Sequence, residues 1–130
     1  MIDFEPEVFN TVREKVVTLC SANRVLSTPI DSYAALPAMS LYEMSNTVDR
    51  GRQSSTPVEN YANITYQLEV AATTKSECRS VFNAADEAMI AMNFTRISGQ
   101  YVPALSNKAV LRYIARYEAK ADTEGNLYRA

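Results

Sequence analysis

Few residues in this chain have the type and spacing to do chemistry. Histidine is absent from its 130 residues, so a Cys-His dyad, a Ser-His-Asp triad and a His-containing zinc site are all excluded. The carboxylates are scattered. The one tight pair, Asp86-Glu87, falls on adjacent positions of a predicted helix, and adjacent helical side chains do not face each other. Such a pair is poorly placed for joint acid–base work or for chelating one metal, and it reads as a solvated helix face. Nor is there a Gly-rich phosphate loop. Cys20 and Cys78 each sit on the apolar side of a predicted helix, where a free thiol behaves as a small hydrophobe, and they read as buried, reduced cysteines. The sequons at Asn63 and Asn93 would matter only in a secreted protein. The chain is therefore not expected to be an enzyme, and no catalytic residue, cofactor or metal is assigned.

The remaining candidates are surfaces. Arg112, Arg116 and Lys120 form a row on the polar side of the last long strand, open to three readings: water or intrachain partners, a neighbouring subunit, or nucleic acid. Glu118 interrupts the row, and Glu69 on the polar side of the central strand is in position to pair with it across the sheet. Asp49, Arg50, Arg52 and Gln53 lie in the most polar stretch of the chain, 47–60, where Gly51 between two arginines and Pro57 are turn signals. A loop of that length exceeds a minimal hairpin, so it is expected to project between antiparallel strands, as a solvated loop or a docking element. Tyr128 and Arg129 close the chain in a short tail, 122–130. The eight tyrosines with no tryptophan fit either interfaces or the core, and several face the core by phase.

What must position these residues is a long alternating strand followed at once by an amphipathic helix, from about Val58 to Met92. Ala62, Ile64, Tyr66, Leu68, Val70 and Ala72 fall on one face of an extended chain, and Tyr61, Asn63, Thr65, Gln67 and Glu69 on the other. After Thr73-Thr74 the period changes to three and four, through Cys78, Val81, Phe82, Ala85, Met89 and Met92. An earlier helix opens at Glu5-Pro6-Glu7, with Val8, Val12, Val16, Leu19 and Cys20 on one face, and is expected to run to about Ala22. Arg24 to Pro29 reads as a short strand and Ala38 to Asn46 as a second, less clean in phase. Phe94 to Val102 places Ile97 and Tyr101 on one side, with Gly99 weakening or bulging it. Val110 to Ala121 places Leu111, Tyr113, Ala115, Tyr117 and Ala119 opposite the basic row.

The totals suit one domain, 1–130, able to bury roughly two thirds of its unfolded surface without staples. At 47% apolar and 22% charged it is globular, and no run approaches the ~18 apolar residues a membrane span needs. The acidic start Met-Ile-Asp-Phe-Glu-Pro-Glu is unlike a signal peptide, so a soluble protein made in the cytoplasm is expected. A net charge of −2 disfavours a surface built to neutralise phosphates. The fold expected is α+β, a mostly antiparallel sheet of about four to five strands with two helices packed on one face.

The chain resembles the tail terminator, or tail completion, family of neck proteins of long-tailed bacteriophages. The resemblance spans nearly its whole length. It rests on the opening Met-Ile-Asp-Phe and first helix, the strand Pro37-Ala38-Met39-Ser40-Leu41-Tyr42-Glu43-Met44-Ser45-Asn46, and the entry Glu59-Asn60-Tyr61-Ala62 leading to Val70. The helix Lys75 to Phe94 and the closing Asn126-Leu127-Tyr128-Arg129 complete it. It implies a structural virion protein forming a hexameric ring on the last tail tube ring, stopping tube polymerisation and presenting the surface that joins the filled head. The implied partners are further copies of itself, the tail tube protein and a head-closure or neck protein. DNA would pass through the lumen without specific binding, which a weakly acidic protein suits. The family's pattern is one of shape, so no functional residue is transferred. The alternatives are a head-closure or adaptor protein of the same neck, and a small bacterial ligand-binding α+β domain.

Overall fold

A computed structural model describes residues 3–20, 25–28, 30, 36–48, 61–103, 110–122 and 126–129. The elements in order are α1 (Glu5–Val16), β1 (Val25–Leu26), β2 (Ala38–Val48), β3 (Tyr61–Ala72), α2 (Lys75–Ala91), β4 (Thr95–Pro103), β5 (Leu111–Asp122) and β6 (Leu127–Arg129). The strands form one sheet in the order β1-β2-β3-β5-β4, with β6 paired to β5 beside that path. All pairings are antiparallel except β1 with β2. The α+β class and both helices are as the periodicity predicts.

Period two on β3 does what it should. Ala62, Ile64, Tyr66, Leu68, Val70 and Ala72 are fully buried and join one core with Val8, Val12 and Val16 of α1 and Cys78, Val81, Phe82, Ala85, Ala88 and Met89 of α2. Both helices thus cover the same face of the sheet. On β5, Ala115, Ala119 and Ala121 face this core opposite Leu68, Ile64 and Ala62, and small side chains there leave room for a helix to approach the sheet. The aromatic ring of Tyr66 meets that of Phe94 edge to face at 5.3 Å.

α2 is well specified at both ends. Thr74 is its N-cap, the Thr74 Oγ1 accepting from the Glu77 backbone N–H at 3.2 Å, as in the Thr-x-x-Glu start of a capping box. At its C-terminus Asn93 takes φ 72°, the Phe94 N–H reaches the Met89 carbonyl and the Asn93 N–H the Ile90 carbonyl. That is the six-to-one and five-to-two pair of a Schellman motif. α1 is weaker: it stops at Val16, not at Ala22, and 17–19 form a turn. The run Val16-Val17-Thr18 is β-branched and costs helix propensity just where the chain leaves for β1. Leu19, expected on the buried face, is therefore exposed, while Cys20 still reaches the core.

Two further differences shape the surface. β2 continues through Thr47 and Val48, the first two residues of the expected 47–60 loop, and 49–60 lies outside the described residues. The 122–130 segment, expected as a released tail, instead carries β6, which pairs Leu127, Tyr128 and Arg129 with Ala121, Lys120 and Ala119. β6 and β4 share one edge of β5, β6 at 119–121 and β4 at 111–118.

Both outer long strands contain a bulge. On β2 the register shifts between Glu43 and Ser45, opposite Tyr66 and Thr65 of β3; on β4 it shifts between Arg96 and Ser98, opposite Tyr117 and Arg116 of β5. Since Tyr66 pairs with Tyr117 and Gln67 with Arg116, the two bulges flank one transverse row of the sheet, Met44 on its Thr65 side and Ile97 on its Gln67 side. The extra residues, Met44 and Ile97, are exposed. Bulges bend a strand and re-aim side chains, and here they turn an apolar residue outward at each side of the sheet.

Candidate interaction surface

The face of the sheet away from the helices carries the predicted basic row, and β3 supplies its counterparts. Gln67 is opposite Arg116 and Tyr42, and Glu69 lies one diagonal step from Arg112. Arg112 grips Glu69 with both ends of its fork, Nη2 to Oε1 at 3.0 Å and Nε to Oε2 at 3.3 Å. A bidentate pair of this kind is the strong form of the interaction. Glu69 is buried, although its phase assigns it to the wetter face. The reason is a second small apolar cluster, Ala71 and Val110 with Ile30 and Leu36, which covers that end of the polar face. Further along, the Arg116 Nε donates to Gln67 Oε1 at 3.4 Å, and the Gln67 amide donates to the Tyr42 hydroxyl at 2.8 Å. Partial burial and then the nearby Glu69 charge raise the Tyr42 pKa, against the lowering influence of Arg116 and Arg112. The row is thus a cross-strand network in which Arg112 is neutralised within the chain, Arg116 remains exposed, and Lys120 sits half-buried between Asn63 and Tyr128.

Of the other predicted residues, Tyr128 is on β6, its hydroxyl donating to Asp122 Oδ2 at 2.9 Å, a bond that raises its pKa. Arg129 pairs through its backbone with Ala119. Asp49, Arg50, Arg52 and Gln53 lie outside the described residues. The structure therefore brings Arg112, Arg116, Lys120 and Tyr128 onto neighbouring strands and leaves the loop candidates unplaced.

Three polar groupings were not anticipated. Asp122 is buried and ties the end of β5 to the start of β6: its carboxylate accepts from the Asn126 N–H at 2.9 Å, the Asn126 amide at 3.3 Å and Tyr128. Asp86, read as part of a solvated helix face, is half-buried instead; it accepts from the Tyr117 hydroxyl and from Arg96 at 3.2 Å. Burial and the Asp86 carboxylate together push the Tyr117 pKa well above its ordinary value. Its position a helical turn from Phe82, on the flank of the buried stripe, was the available signal. The third is an acidic rim where α1 begins beside β2. The Glu5 carboxylate accepts from the Glu43 backbone N–H at 3.4 Å, and Asp3 accepts from the Glu5 N–H at 3.1 Å. Burial, then the charges of Glu5 and Asp3, raise the Glu43 pKa, and the Asn46 amide that bonds its carboxylate opposes this.

Among the described residues no group of Cys, Asp and Glu is arranged to hold a metal ion, and no helix is long and apolar enough to cross a membrane. Burial raises the pKa of Cys20 and Cys78 to about 11 each, so at neutral pH neither is a thiolate nucleophile. Both are free and buried, as expected. An open depression of about 600 Å³ lies between α1, the end of α2 and β6, bordered by Phe4, Thr11, Met92 and Leu127. Compared with known protein families and with curated proteins, the chain matches none.

Proposed function

We propose that this chain is a structural virion protein that forms a ring at the head-proximal end of a long phage tail, ends polymerisation of the tail tube and offers the surface to which the head is joined. The reading rests on the resemblance of the sequence, and the observation that carries it is the order of elements. A first helix, two strands, a polar connection, a long central strand, a helix and three final strands follow the order of helix, strands, loop, long strand, helix and final strands that the resemblance implies. The polar groups described above are engaged with one another in structural bonds, which suits a protein whose work is done by its surfaces. In this reading the ring is made of copies of this chain, hexameric as in the family it resembles, with the tail tube protein below and a head-closure or neck protein above. DNA passes through its lumen. The protein is made in the host bacterial cytoplasm and ends in the virion.

Light scattering on the purified protein over a range of concentrations, with and without assembled tail tube protein, tests this. A ring that forms alone or on tubes, and that halts tube growth, supports a terminator. A ring that ignores tubes but binds the portal side supports a head-closure or adaptor role, and a strict monomer indifferent to both removes the ring reading.

A further inference from the structure

Where α1 begins beside β2, three carboxylates stand together. Asp3, Glu5 and Glu43 border one open depression of about 460 Å³, with Phe9, Asn10 and Ser27 on its other sides. Among the described residues none of the three forms an ion pair with a cation, and the charges that act on half-buried Glu43 are those of Glu5 and Asp3. Like charges held this close repel, so the chain's own stability would gain from neutralising one of them. A second, independent feature points to the same place. Tyr66 is fully buried and its hydroxyl has no hydrogen-bond partner, a condition that native cores avoid. Tyr66 pairs with Glu43 on the side of the sheet that α1 covers, and the charges that act on its hydroxyl are those of Glu43, Glu5 and Asp3. Its ring therefore runs under α1 toward the acidic cluster, with the oxygen behind the carboxylates.

We propose that this depression receives an arginine side chain of a partner protein, its guanidinium held by Asp3, Glu5 and Glu43, with Phe9 against its flat face and the Tyr66 oxygen as the innermost acceptor. The inference goes beyond the ring reading and does not depend on it. A guanidinium carries five donors in a planar fork, which suits several carboxylate oxygens at once. It is also weakly hydrated and stacks on aromatic rings, whereas an ammonium is a compact, strongly hydrated point charge. A metal ion fits less well, because among the described residues no three acids converge on one point. The Tyr66 hydroxyl is covered, so contact with it requires the Glu43 side chain to turn aside. That side chain is held by a long bond from the Asn46 amide, 3.3 Å, and rotamer changes of this kind are common when partners bind. The incoming cation offsets the repulsion within the cluster and supplies the donor that the buried hydroxyl lacks.

Amide NMR of the full chain tests this with three capped peptides: acetyl-Gly-Arg-Gly-amide, its lysine analogue, and its citrulline analogue, which keeps the shape of arginine without the charge. The arginine peptide is expected to move the amides of Glu5, Phe9 and Glu43 saturably, the lysine peptide to bind about tenfold more weakly, and the citrulline peptide to leave them in place. Glu5→Gln/Glu43→Gln is expected to weaken the arginine peptide about tenfold or more, and Tyr66→Phe about threefold, with the circular dichroism of both variants unchanged. Four results would each overturn the assignment: no saturable shift of these amides, shifts spread equally to acids elsewhere such as Glu87 and Glu118, lysine peptide or free spermidine binding as tightly as the arginine peptide, or wild-type affinity in Tyr66→Phe. None of them bears on ring formation, which light scattering decides separately.

Discussion

Gly99 is needed on β4 because Tyr113 of β5 lies over it. A Cβ there would overlap the Tyr113 hydroxyl and stand 3.1 Å from Cζ. The ring has little freedom to yield, since it packs on Phe82 at 4.4 Å and on Tyr101 at 4.9 Å. Gly99→Ala should therefore cost about 1–3 kcal/mol in urea unfolding despite the better strand propensity of alanine. Tyr113→Phe, which removes the atom in closest conflict, should recover part of that loss in the double variant; equal losses in both backgrounds would show that the overlap is not the cause. Glu43 makes the opposite case, a group whose replacement helps. Its folded-state pKa is raised by burial and by Glu5 and Asp3, so the stability it contributes is present below the ordinary carboxylate pKa and is lost as pH rises through the raised folded value. Glu43→Gln keeps an acceptor for Asn46 and should be more stable than wild type at pH 7, the gap closing below about pH 4. A gap that persisted in acid would point to packing, not charge.

At the scale of elements, α2 was the most legible and β6 the least, for reasons visible in their residues. Thr74-Lys75-Ser76-Glu77 carries a capping signature and the apolar stripe from Cys78 to Met89 a helical period, so both local signals agree. The Leu127–Arg129 strand is three residues long, too short for any period, and it is held by groups distant in the sequence. Asn93, placed with positive φ to end α2, donates from its amide to the Leu127 carbonyl at 2.9 Å. Asp122 ties Asn126 and Tyr128. Asn93 looked like no more than a sequon, because its conformation depends on a Schellman turn that spacing alone does not reveal. Two substitutions separate these contributions. Asn93→Gly keeps the left-handed backbone and loses only the bond to β6, whereas Asn93→Ala loses both and should be the more destabilising by about 1 kcal/mol. Asp122→Ala leaves three donors without their acceptor and should cost about 2–3 kcal/mol. In hydrogen exchange the amides of 127–129 should then lose protection while those of 61–72 keep theirs; uniform loss would mean that β6 unfolds only with the whole sheet.

Across the whole molecule, legibility follows the bulges. β3 and the core face of β5 alternate without interruption, and their buried faces match the period-two reading from Ala62 to Ala72 and from Ala115 to Ala121. The polar face was read correctly in pairing Glu69 with the basic row, where its partner is Arg112, and incorrectly in the wetness of that end, where Ala71, Val110, Ile30 and Leu36 cluster. β2 was the strand whose phase looked poor, β4 the one expected to weaken or bulge at Gly99; each has one residue too many, and on β4 it is Ile97, two residues before Gly99. Glu43 pairs with Tyr66 on the helix side and Ser45 with Thr65 on the other, so with Met44 set aside β2 alternates cleanly. The same holds on β4, where Arg96 and Gly99 face the helix side with Tyr117 and Ala115, and Ser98 faces away with Arg116, once Ile97 is omitted. Deleting Met44 should therefore leave every other β2 side chain on its present face, and the protein should fold with a loss below about 2 kcal/mol. Deleting Thr65, on the same row but in the unbulged β3, shifts one half of the strand by a residue and moves either Ala62 and Ile64 or Tyr66, Leu68 and Val70 out of the core. That variant should fail to fold at 25 °C, since several large side chains at a few kcal/mol each exceed the stability of an ordinary domain. Thermal unfolding followed by circular dichroism separates the two, and a Met44 deletion as damaging as the Thr65 deletion would show that the bulge holds the fold together and that Met44 is not a surplus residue.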